Sequence, residues 1–79
     1  MTLEQFVTQN LRVLRLQQNL SQESLAQKTG LSVSYISMLE RGQRTPPLDT
    51  LEALAKGLGV SPLTLIQELP RQKPSAPRR

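Results

Sequence analysis

A chain of 79 residues with neither cysteine nor histidine suffices for one small helical core but not for a core plus a buried catalytic cleft, and thiol nucleophiles, imidazole bases, disulfides and zinc fingers are excluded. Its formal net charge is +4, yet residues 1–69 carry six cations against six anions, so the whole excess lies in the closing PRQKPSAPRR, through Arg71, Lys73, Arg78 and Arg79. No basic leader precedes an apolar run and no stretch approaches the roughly 20 apolar residues that span a bilayer, so a cytoplasmic protein with no membrane contact is expected.

Thr2 and Gln5 are spaced as a capping box at the head of a first helix expected over Leu3 to Asn19. Leu3, Phe6, Val7, Asn10, Leu11 and Leu14 recur at three- and four-residue intervals, an apolar stripe interrupted by Asn10 and destined for the core. Ser21 is placed to cap a second helix, QESLAQKT, and Gly30 ends it, since a residue at ease with positive φ turns the chain so soon. Ser32 caps a third helix, Val33 to Arg41, which Gly42 stops. Leu25, Ala26, Ile36 and Leu39 fall on facing stripes of this pair, while Val33, Ser34, Ser37 and Met38 are left on another side. That leftover face must meet something outside the domain.

Residues 43–47 form a loop that ends in a double proline. A fourth helix, Leu48 to Gly57, turns Leu51, Leu54, Ala55 and Leu58 inward. Gly59 and Val60 make a turn, after which Ser61 caps and Pro62 opens a fifth helix reaching about Glu68. Leu63, Ile66 and Leu69 cannot all turn inward with Leu65, so an apolar cluster is expected on the surface, where it suits a partner subunit. The last ten residues hold three prolines, four cations and one alanine. So little apolar surface cannot offset the entropy of ordering, and a disordered basic tail over 70–79 is expected to follow a folded domain over 1–69. Such a tail serves either as a solubilising end or as a DNA-contacting arm.

The run LSQESLAQKTGLSVSYISMLERGQRTPPLDTLEALAKGLGVSP resembles the Cro/CI-type helix-turn-helix regulators, whose bacterial and phage members include repressors, restriction-modification controller proteins and antitoxins. The likeness extends over about Asn10 to Gln67. It rests on a spaced set: Leu11-Arg12, Ser21-Gln22, Tyr35-Ile36-Ser37, Glu40-Arg41-Gly42, Thr50-Leu51 and Leu54-Ala55. The fold that the resemblance implies is all-α, a compact five-helix bundle with a helix-turn-helix of the lambda-repressor-like type, in agreement with the periodicity.

The resemblance also implies roles. Ser32, Val33, Ser34, Ser37 and Met38 occupy the turn and outward face of the third helix, where relatives meet the major groove. Val33 and Met38 depart from side chains that read bases bidentately and offer only contact with a thymine methyl or steric exclusion. Gln22 is similar to the family glutamine that touches a phosphate and braces the recognition helix, as against a merely solvated first-turn residue. Tyr35 is either a phosphate ligand or an edge-packing residue. Arg41, Gln43, Arg44 and Thr45 lie where relatives contact backbone phosphate, which sets register and affinity but carries no base information. Arg41 also suits the negative end of its helix. Arg15 and Glu40 match a pair that ties the first helix to the end of the recognition helix. Pro47 stands where a serine or threonine often caps the fourth helix.

The reading that follows is a sequence-specific, double-stranded DNA-binding transcriptional regulator, a homodimer on a roughly palindromic operator. It needs no cofactor, metal or small-molecule ligand, and in a chain of this length it is expected to regulate its own promoter through occupancy alone. Two alternatives stand beside it. An antitoxin would bind DNA and also grip a toxin, and a toxin-like reading frame beside the gene would mark it. A protein-interaction module without DNA would show acidic outward residues on the third helix, and none precedes Glu40. A catalytic reading finds no phosphate-cradling glycine loop and no metal-ligand cluster.

Overall fold

In the computed structural model residues 1–69 are described, and they form α1 (Leu3–Gln17), α2 (Gln22–Thr29), α3 (Val33–Glu40), α4 (Leu48–Leu58) and α5 (Pro62–Ile66), with no strand among them. The tail expected over 70–79 lies outside the described residues. Four of these helices start on a side chain that takes up a leading amide: Thr2 accepts from the Gln5 amide while the Gln5 side chain accepts from that of Thr2, and Ser21, Ser32 and Ser61 accept from Ser24, Tyr35 and Leu63. The helix after Pro47 has no side-chain cap, and Asp49 Oδ1 accepts from the Thr50 amide instead.

Four of the ends differ from the sequence expectation by one or two residues, α5 among them, which closes at Ile66 and not near Glu68 because Gln67 is already extended. Asn19 adopts a φ of 58° and turns the chain, so α1 closes at Gln17. Arg41 is the cap of α3 and not part of it, because Gly42, at a φ of 75°, bends the chain so that the Gly42 and Gln43 amides donate back to Leu39 and Met38. Gly57 does not end α4. The helix runs on to Leu58, and Gly59 takes the left-handed conformation.

Leu11, Leu25, Ile36, Leu39, Leu54 and Leu65 are fully buried at the centre, with Val7, Leu14, Leu51 and Leu58 around them. α1 packs against α5, α3 and α4, while α2 packs against α3 and α4. Three members of the α1 stripe depart from the expected core. Leu3 is 64% exposed and Phe6 is only half-buried, outside the buried cluster. Asn10 is 3% exposed yet polar. Its amide nitrogen donates to the carbonyls of Gln67 at 2.6 Å, Leu65 at 3.0 Å and Thr64 at 3.3 Å, so the break in the stripe is a hydrogen-bonding post for the end of α5.

A second polar group is built into the same helix. Arg15 Nε donates to Glu40 Oε2 at 2.6 Å and its Nη2 to Oε1 at 3.1 Å, with the two side chains 11% and 4% exposed. Arg15 Nη1 also donates to the Leu20 carbonyl at 2.7 Å. One guanidinium thus joins α1, the α1–α2 turn and the last residue of α3.

Two stability outcomes follow. Glu40→Ala leaves a buried guanidinium unpaired and is expected to cost about 3–5 kcal/mol in urea unfolding, whereas Arg15→Met with Glu40→Leu costs much less; equal losses would show the pair to be solvated. Gly57→Ala puts a Cβ 2.7 Å from Thr29 Cγ2, and Thr29 is not free to turn because its hydroxyl donates to Leu25 and Ala26. The overpacking, about 1–3 kcal/mol, is expected to exceed the gain of about 1 kcal/mol from removing a mid-helix glycine. Adding Thr29→Ser, which deletes that methyl, is expected to turn the loss into a gain.

Candidate nucleic-acid interface

α2 and α3 are joined through Gly30, whose φ of 76° lets the chain reverse, then Leu31 and Ser32. The turn is held from inside by Leu31, partly buried on the core, and by its amide, which donates to Thr29 Oγ1. Leu25 and Ala26 of α2 face Ile36 and Leu39 of α3 and are buried with them. α3 therefore has one settled face, and its other side is fixed by subtraction. Ser32, Val33 and Ser34 are exposed, Val33 at 38%, while Ser37 and Met38 are half-buried further along.

The structure brings these five side chains to one surface, but not on equal terms. The Ser32 hydroxyl already accepts from the Tyr35 amide, which leaves its proton to donate. Ser34 stands clear, and Ser37 is recessed. Tyr35 lies partly buried against the core.

Around this face, Gln22 is half-buried and its Nε2 donates to Glu40 Oε1 at 3.1 Å. A carboxylate accepts only, so the bond fixes which end of the amide points inward. Arg41 is exposed and its Nε reaches back to the Ser37 carbonyl at 3.4 Å, while Gln43 and Arg44 are exposed beyond the end of α3. Thr45 is exposed too, but its hydroxyl donates to Glu4 Oε2 at 3.1 Å, which places an anion beside the position expected to meet phosphate. The link from Gln22 to Glu40 and that from Glu4 to Thr45 span 18 and 41 residues, and no local spacing announces either.

Leu63, Ile66 and Leu69 are divided by the fold. Leu63 is 64% exposed, whereas Ile66 and Leu69 are partly buried against the core. Among the described residues no group of His, Cys, Asp and Glu is placed to hold a metal ion, and no helix is long and apolar enough to cross a membrane.

Comparison with known proteins agrees with this geometry. Residues 11–65 match the helix-turn-helix family profile. An HTH-type transcriptional regulator of Sinorhizobium fredii, y4dJ, is 41% identical over 66 residues, which cover 84% of this chain and 86% of that protein. The control protein C.BamHI of Bacillus amyloliquefaciens is 46% identical over 59 residues, 73% of each chain. The restriction-modification controller protein C.Esp1396I, whose crystal structure is a tetramer in complex with its natural 35 base-pair operator, superposes with a TM-score of 0.76 at 35% identity, covering 82% of this chain and 86% of that one. Its relatives are transcriptional regulators and controller proteins and not enzymes, and the chain belongs to the helix-turn-helix family of transcriptional regulators.

Proposed function

We propose that the protein binds double-stranded DNA sequence-specifically in the cytoplasm, as a homodimer on a roughly palindromic operator. The observation that carries this reading is the outward face of α3, where Ser34 and Val33 stand exposed on a helix whose opposite side, Ile36 and Leu39, is wholly buried. The controller protein crystallised on its operator supports it.

In this reading Ser34 and Ser37 face base edges, where a hydroxyl donates or accepts, and Val33 and Met38 meet thymine methyls or exclude bulk. Ser32 lies at the entry to the groove. Gln22, Arg41, Gln43 and Arg44 contact phosphate around the C-terminal end of α3, where Gln22 is held by Glu40, with Tyr35 at the edge of the face. Thr45 is the weakest of the phosphate positions because of Glu4. A helix as short as α3 contacts too few base pairs for useful specificity. Two-fold pairing would set two copies about 34 Å apart, one turn of duplex. Leu63, backed by Ile66 and Leu69, is the surface assigned to that pairing.

Base readers and phosphate contacts are separable by experiment. Ser34→Ala or Ser37→Ala is expected to change the sequences recovered by selection from random duplexes, at a cost of about 1–3 kcal/mol confined to one position of the site. Arg44→Ala is expected to weaken all duplexes alike and to reduce the slope of log affinity against log salt by about 0.9. Serine variants that recover the wild-type sequences would falsify the placement of α3 in the groove.

A further inference from the structure

The most unusual side chain in the domain takes no part in the DNA-facing surface. Asn10, on α1, is 3% exposed and gives its amide nitrogen to three carbonyls near the end of α5, those of Thr64, Leu65 and Gln67. α5 has only five residues and Gln67 leaves it in an extended conformation. So short a helix does not hold itself together in water, and its last carbonyls have no partner within it. Ser61 and Pro62 settle its start. At its other end the polar atoms that answer those carbonyls come from a residue more than fifty positions earlier in the chain.

The same five residues carry Leu63, 64% exposed, two positions before Leu65, which is fully buried. Neighbours at that spacing cannot both face the core. Whatever fixes the rotation and tilt of α5 therefore fixes where Leu63 points.

We propose that Asn10 is the positioning residue of the dimer: its buried amide pins the end of α5 and so presents Leu63 to a second copy of this chain. The inference rests on the dimer reading above. Asn10 touches no partner itself and acts through the carbonyls it holds.

The test uses the full chain. Asn10→Asp replaces a donor by a group whose charge state decides the outcome. Ionised, at about pH 8, the new carboxylate opposes three carbonyl oxygens; protonated, at about pH 5, it donates to one of them, and burial among those oxygens raises its pKa above the ordinary aspartate value. Sedimentation equilibrium is expected to show a dimer at least about tenfold weaker than wild type at the higher pH and restored toward it at the lower. The wild type, run in parallel, is expected to show no such dependence. Amide exchange is expected to quicken in α5 and to stay unchanged in α2 and α3. Where Asn10→Asp does not fold, Asn10→Ala removes the donors without adding charge and is expected to weaken the dimer with the same exchange pattern. If Asn10→Asp at the higher pH, or Asn10→Ala, folds and dimerises like wild type while Leu63→Glu is monomeric, Asn10 has no such role and the dimer reading stands. If Leu63→Glu dimerises like wild type, that reading falls and the role of Asn10 falls with it.

Discussion

Burying a charge in a domain this small is tolerable only if the charge is paired and its remaining hydrogen-bonding capacity is used. Arg15 and Glu40 meet that condition through two mutual bonds and one each to the Leu20 carbonyl and the Gln22 amide. The directional demands of those bonds locate the end of α3, beside the surface proposed to face DNA. Apolar packing alone, as between Leu25 and Ile36, is tolerant of sliding and rotation. A bidentate guanidinium is not. The elements it joins are α1, the turn before α2, and α3, so the position of the outward serines depends on a contact they do not make.

Charge sets a second limit on how such a surface works. With six cations and six anions in residues 1–69, the domain has no broad positive field to draw in a polyanion. In the proposed reading attraction has to come from a few placed donors, namely Arg41, Arg44 and the Gln22 amide, grouped near the C-terminal end of α3. Glu4 tempers even that set by standing beside Thr45. Small hydroxyls and apolar groups on α3 discriminate less sharply than arginine or glutamine would. Specificity from one copy is then modest, which is the physical reason for reading the site in pairs.

Local chemistry was the legible part of this chain. The capping hydroxyls of Thr2, Ser21, Ser32 and Ser61, the left-handed Gly30, and the buried stripes of α2, α3 and α4 all follow from residue type and spacing over a few positions. The exposure of Ser34 followed too, since a face is defined once its opposite is known, whereas Ser37 on the same side is half-buried. What spacing could not show was each contact made across the chain. Asn10 read as a flaw in an apolar stripe, because its three acceptors lie 54 to 57 residues away. Gln18, whose side chain donates to the Leu58 carbonyl, carried no signal. Leu3 fitted the stripe's period but is exposed where Val7 is buried, a matter of helix placement and not of pattern.

The two most buried of the long-range polar posts, Asn10 and Arg15, stand on one helix. Asn10 and Arg15 are five positions apart on α1, about 7.5 Å along its axis, and at that spacing they look to different sides. One holds α5, with Leu63 on its outer side; the other holds the end of α3, with the outward serines. A helix is stiff over such a distance, so the pairing surface and the reading surface are set against each other by a single rigid element and not through the loops between them. In the proposed dimer the spacing of the two α3 helices would be the sum of two such offsets. A fold that fixed only α3, or only α5, would leave that spacing to the 43–47 and 59–61 turns. Fixing both on α1 would make the half-site separation of the proposed dimer a property of the helix core, and an operator of the wrong spacing would then have to bend to be bound.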